Sequence, residues 1–189
     1  METEMEGIQD TPRTAKEIAI RAIIISSVVS CAHGDSKEDN VRWLKQEGLW
    51  EEVSPEELAF LTSETDEKIR RKFTWRIEAL VPLLWAIQKI ASVQTLTEQC
   101  DTEPLRTAMV WPPVPTKNFI ESSSLRTENE ISEEYEKVYD AHWLVRDAQI
   151  NNKAIPNNLD PGVVYERHYA FNWIIGYMGE EWDDISTDT

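Results

Sequence analysis

Cysteine, glycine, basic residues and long apolar runs are all scarce in this chain, and each shortage closes a route to function. Two cysteines, Cys31 and Cys100, among 189 residues make no disulfide framework. Cys31 ends an apolar helical pattern and reads as a buried thiol. The six glycines build no phosphate-cradling loop, no dinucleotide fingerprint and no nucleophile elbow. A His-Glu-x-x-His run and paired-cysteine spacings are missing too, so the sequence carries no metal signature. Lys and Arg number 19 against 35 Asp and Glu, which argues against a face that neutralises nucleic-acid phosphates. The longest apolar run, Ile18 to Val29, is interrupted by Arg21 and falls short of the ~20 residues a membrane span needs. The first residues are acidic where a secretory signal would be basic. A soluble, cytoplasmic protein is expected. The period-two alternation of strands is also absent, as is any internal repeat.

What is present is the composition of an ordinary globular domain, 41% apolar and rich in tryptophan, with eight. Most of these tryptophans are expected in the core or in pocket walls. The net charge of −16 is unevenly placed. Glu2, Glu4, Glu6 and Asp10 at one end and Glu180, Glu181, Asp183, Asp184 and Asp188 at the other supply nine of the 16 charges. The expected organisation is a disordered acidic tail over residues 1–10 and one helical domain over 11–189. Acidity of this degree suits solubility or a basic protein partner.

Helical patterning runs through the body. Thr11-Pro12 opens a helix whose apolar residues, from Ala15 to Val29, recur at helical spacing until His33-Gly34. Ser36 caps a second, ending at Gly48. Ser54-Pro55-Glu56-Glu57 is a capping box with proline at the first helical position. Asp66 to about Ser92 reads as the longest helix, kinked at Pro82, with Glu78 set among apolar neighbours. Thr95 to Ser124 is irregular, with room for a short helix between Asp101 and Val110. It reads as a lid or binding loop, or as a surface loop pinned by Trp111 and Phe119. Thr127 and Glu130 open a helix to about Gln149, with His142 on its inward stripe. The last helix, Asp160 to Tyr177, is apolar on every side and therefore buried, although it carries Glu166, Arg167, His168 and Asn172. The fold class expected is all-α, a single-domain helical bundle around this buried C-terminal helix.

Several blocks in a distinctive order resemble one family. They are Arg42-Trp43-Leu44-Lys45-Gln46-Glu47-Gly48-Leu49-Trp50, Ser54-Pro55-Glu56-Glu57 and Trp75-Arg76-Ile77-Glu78-Ala79-Leu80 with Leu84-Trp85-Ala86. Leu125-Arg126 before Glu130-Ile131, Tyr139 with His142-Trp143 and Arg146-Asp147, and Val164 to Trp173 follow. The terminal Trp182-Asp183-Asp184-Ile185-Ser186-Thr187-Asp188-Thr189 completes the pattern. Over Thr11 to Thr189 the chain is similar to the mostly bacterial domain-of-unknown-function family 4272. That resemblance implies no activity. Pro82 departs from the uninterrupted apolar run expected within the Trp75 block.

The residues able to do chemistry are Glu78, His142, Arg146, Glu166, Arg167, His168 and Asn172. His142 and His168 with Glu78 or Glu166 have the donor types of a metal set. A carboxylate and a histidine in low dielectric suit proton transfer. The plainer reading is a buried polar network in which Glu78 or Glu166 pairs with Arg146 or Arg167 and the histidines and Asn172 satisfy what remains. The terminal acidic stretch reads as a docking peptide, an acidic metal cluster, or a tail pinned by Trp182. The sequence points to a non-catalytic binding or protein-interaction domain, with a basic protein as partner and neither cofactor nor resident metal. The alternative is a small enzyme or a ligand- or metal-binding protein with a pocket around His142, Glu166 and His168.

Overall fold

The computed structural model describes residues 10–189, so the expected acidic tail, Asp10 apart, lies outside the described residues. The helices are α1 (Ala15–Ala32), α2 (Lys37–Gln46), α3 (Pro55–Thr62), α4 (Glu67–Trp75), α5 (Ile77–Ala86), α6 (Glu103–Ala108), α7 (Lys117–Glu121), α8 (Glu128–Ile150) and α9 (Pro161–Ile175). No strand occurs among the described residues, and the fold is an all-α single domain. Among these residues no helix is long and apolar enough to cross a membrane.

Helices begin where side chains can take up the free N–H groups of a first turn. Thr14 with Glu17, Ser54 with Glu57 and Thr127 with Glu130 are reciprocal capping boxes, and Asp160 accepts from the N–H groups of Gly162 and Val163. The centre is a stack of three helices. α5 lies between α1 and α9, and α8 covers the far side of α9. Residues Glu78 to Ala86 of α5 are all buried, as are residues 163–174 of α9 except Tyr165. The C-terminal helix is thus buried as its all-round apolar pattern requires, and it shares the centre with α5.

The long helix expected from Asp66 to Ser92 is two helices, and its break is not at the proline. The chain turns at Arg76, six residues earlier, and α5 continues through Pro82. Packing on both sides of α5 outweighs a local cost of about 3 kcal/mol for an interior proline. α5 then stops at Ala86, with Gln88 at φ +61° and the N–H of Lys89 on the carbonyl of Leu84 at 2.9 Å. Glycine usually makes this left-handed exit. Gln88 makes it instead, its side-chain amide donating to the carbonyl of Leu125 at 2.9 Å.

Both ends of the described chain close on the core. The N–H of Arg13 donates to the carbonyl of Ile174 at 2.9 Å, and a Cβ at Gly176 would lie 2.0 Å from the carbonyl oxygen of Thr11. Only glycine allows that crossing. At the other end Trp182 is buried, and the Tyr169 hydroxyl donates to its carbonyl. Asp183 caps α3 from outside that helix. Its carboxylate accepts from the Ser54 hydroxyl at 2.7 Å and from the N–H of Glu56 at 2.8 Å. The amide of Asn172 donates to the carbonyl of Ser186 at 2.8 Å. The terminal acidic stretch is a strap pinned by Trp182.

Candidate functional site

Most of the chemistry-bearing residues of α5 and α9 are engaged inside the protein. Glu78 and Arg167 form an ion pair of 2.9 Å with both side chains fully buried. The second oxygen of Glu78 accepts the N–H of Cys100 at 2.8 Å, while Arg167 also donates to the carbonyls of Val93 and Thr95 at 2.5 and 2.9 Å. The pair therefore anchors the start of the irregular 93–100 segment to the core. Glu166 pairs with Arg76 at 2.9 Å, also inside the protein. Burial pushes the Glu166 carboxyl up against the opposing pull of Arg76. Burial likewise works to lower the Arg76 guanidinium, but Glu166 and the neighbouring tyrosines leave it raised. A third buried pair, Arg21 with Glu57 at 2.7 Å, joins α1 to α3.

The partner expected at Arg146 is not found there. Arg146 is exposed and donates to Gln149 at 3.2 Å. Arg76 takes its place because the break between α4 and α5 turns that residue inward, where its guanidinium lies 3.9 Å from the ring centre of Tyr169. The helical spacing of an unbroken 66–92 helix gave no signal of this.

His142 and His168 meet across α8 and α9, Nδ1 to Nδ1 at 2.7 Å. One ring must donate and the other accept, so both cannot carry a proton on these nitrogens. Buried His168 Nε2 and Asn172 Oδ1 each have no hydrogen-bond partner among the described residues. With His142 as donor, His168 carries its proton on Nε2, on the side of that amide oxygen. Burial, then the charge of His142, pushes His168 down to about 4, with Asn172 as a weaker opposing influence. Burial and Arg146 lower His142 as well. Both imidazoles are neutral at pH 7. Among the described residues no three His, Cys, Asp or Glu side chains converge as a metal-ligand set.

The pocket expected around His142, Glu166 and His168 brings in only the first of these. A small cleft of about 460 Å³ is lined by His142 with Arg146, Tyr165 and the last three residues. A larger cleft of about 840 Å³ lies elsewhere, where the C-terminal ends of α1 and α4 meet the start of α2 and the 99–112 segment. Trp75 and Trp111 line it together with Asp35, Asn40 and Cys100. Burial, then the charge of Glu78, pushes the Cys100 thiol up to about 12, so it is no nucleophile at neutral pH. The irregular segment is pinned on both sides. Gln94 exchanges hydrogen bonds of 2.7 and 3.1 Å with the backbone of Asp101, Glu47 accepts from the N–H and hydroxyl of Thr116, and Phe119 is buried.

The outer face of α8 is the exception to the tryptophan expectation. Trp143 is 50% exposed and Ile150 70%. Glu133, Glu136, Asp140, Trp143, Asp147 and Ile150 follow one another at alternating spacings of three and four, which places them on a single stripe. Asp147 pairs with Lys153 at 3.6 Å. Glu133, Glu136 and Asp140 form no ion pair among the described residues.

Comparison with known proteins adds the family and nothing beyond it. No curated protein and no solved structure matches the chain. A family model, described as a domain of unknown function, matches residues 5–185, nearly the whole length, and the chain belongs to that family, DUF4272.

Proposed function

We propose that this protein is a non-catalytic interaction domain that binds a basic segment of a partner protein along the outer face of α8. The observation that carries the reading is Trp143, a half-exposed tryptophan one heptad from exposed Ile150 and preceded along the stripe by three carboxylates with no ion pair among the described residues. Large apolar side chains left in water cost free energy that a partner's apolar residues recover. Tryptophan is the residue type most often found at the energetic centre of an interface. The carboxylates select lysine and arginine on the partner and speed its approach, an effect that salt screens over a Debye length of ~8 Å at physiological ionic strength. The net charge of −16 extends that attraction over the whole molecule. The groups that would serve catalysis are engaged elsewhere. Glu78 is held by Arg167 and the backbone of Cys100, and Glu166 by Arg76.

The test is a pull-down from the native host at low salt with the parent protein, Trp143→Ser and the triple variant Glu133→Gln/Glu136→Gln/Asp140→Asn. The expected result is one basic protein in fixed stoichiometry, lost as salt rises, lost with Trp143→Ser and weakened by the triple variant. A stoichiometric partner retained by both variants would place the interface elsewhere. No partner at all would remove the interaction reading.

A further inference from the structure

The large cleft carries a different inference, one that does not involve α8. Its volume of about 840 Å³ falls within the range of small-molecule sites. Its walls are held in place. Trp75 lies so close to Gly162 of α9 that a Cβ there would come within 2.7 Å of the indole ring. Arg70 donates to the carbonyl of Ala32 at 3.2 Å, tying α4 to the end of α1, and the N–H of Cys100 is held on Glu78. The far wall is held where the Trp111 indole N–H donates to the carbonyl of Arg106 at 3.1 Å.

Asn40 lines this cleft and is 5% exposed. Its amide nitrogen donates to the carbonyl of Ser36 at 3.0 Å, and its Oδ1 accepts no hydrogen bond from the described residues. The orientation cannot be reversed, because the Ser36 carbonyl only accepts. An acceptor buried without a donor is costly, and a ligand N–H would remove that cost. The charges around it favour a cation. Asp35 is exposed and has no ion pair among the described residues, whereas Asp39, one turn along the rim, pairs with Arg42 at 2.9 Å. Two helices, α1 and α4, direct their negative C-terminal ends at the cleft. α2 and α5 begin there as well, and the acidic residues of their first turns, Glu38 and Asp39 on α2 and Glu78 on α5, offset their positive ends. Arg106 stands on the opposite wall and has Glu103 at 3.8 Å.

We infer that this cleft binds a small organic cation with a planar apolar body and N–H donors, an amidinium, guanidinium or primary ammonium. The planar body lies against Trp75 and Trp111, a placement that also brings the cation near aromatic faces. The N–H donors reach Asn40 Oδ1 and Asp35.

The experiment uses benzamidine and its uncharged counterpart benzamide as probes on the full chain, read by the indole N–H resonances and by calorimetric titration. Benzamidine is expected to shift the Trp75 and Trp111 signals and to bind at least about tenfold more tightly than benzamide, a factor equal to roughly 1.4 kcal/mol. Asp35→Asn, at an exposed site that leaves the fold intact, should weaken benzamidine about three- to tenfold and leave benzamide unchanged. Asn40→Ala, with its fold checked by thermal melting, should weaken benzamidine to a similar degree. Equal binding of the two probes would overturn the cation assignment. Failure of both to move either indole signal, or unchanged affinity in the Asp35 variant, would overturn the site itself.

Discussion

Helices α8 and α9 lie against each other and use their polar residues in opposite ways. On α9, Glu166, Arg167, His168 and Asn172 all point into the protein, and the two charged ones find buried partners on or next to α5. On the outer stripe of α8, carboxylates stand in water beside an exposed tryptophan. The contrast shows why residue type alone misleads. A histidine or glutamate inside a helix pattern draws attention as candidate chemistry, yet here those side chains are engaged in holding helices together. The face with groups left over is the one whose pattern reads as an ordinary solvated helix. Surplus, rather than concentration, of polar and apolar groups marks the place where something else can bind.

The contrast can be broken most forcefully at the fully buried pair. Arg167→Met leaves the Glu78 carboxylate without its counter-ion and the carbonyls of Val93 and Thr95 without their donor. A loss of ~3–5 kcal/mol in urea unfolding is expected. A double replacement of Glu78 and Arg167 by methionine should recover only the share due to the stranded charge, because the carbonyls of Val93 and Thr95 and the N–H of Cys100 stay without their partners. Equal stability of Arg167→Met and the parent would end the account of α9 as a structural network.

Second in size is the histidine pair. The folded state holds His168 at about 4 where an ordinary histidine titrates near 6.5. As pH falls below 6.5 the unfolded chain takes up a proton that the folded state refuses. Stability is therefore lost between pH 6.5 and about 4, on the order of 3 kcal/mol over the full range. Denaturation at a series of pH values should show this slope in the parent and a shallower one in His168→Gln. Parallel slopes would mean that the buried ring does not titrate as its setting demands.

Smaller again is the cap supplied across the molecule. Asp183→Ala removes the acceptor for the Ser54 hydroxyl and the N–H of Glu56. A cost of about 1 kcal/mol is expected in thermal or chemical unfolding, the usual size of a helix cap. Smallest is the outer face of α8. Trp143→Ser and Asp140→Asn should change stability by less than about 0.5 kcal/mol, because both side chains are exposed. A large destabilisation there would show that Trp143 supports the fold, and would sharpen the comparison in the other direction.

What the sequence determined by itself is what is encoded within one turn of chain. The starts at Ser54, Thr127 and Asp160 were legible because a cap and the N–H groups it serves lie within three residues of each other. The burial of α9 was legible because an apolar surface on every side of a helix has no stable place in water. The family match likewise rests on sequence order alone. Other features were decided only in three dimensions. That α5 would run through Pro82 and stop at a left-handed Gln88 depends on its neighbours on two sides. That Glu166 would meet Arg76, 90 residues away in sequence, and that Asn40 would be left with an oxygen unpaired among the described residues beside a cleft, depend on where separate helices converge. Capping is short-ranged and repeats a local geometry. Ion pairing and cavities depend on the relative placement of whole helices, which no spacing within a single helix records.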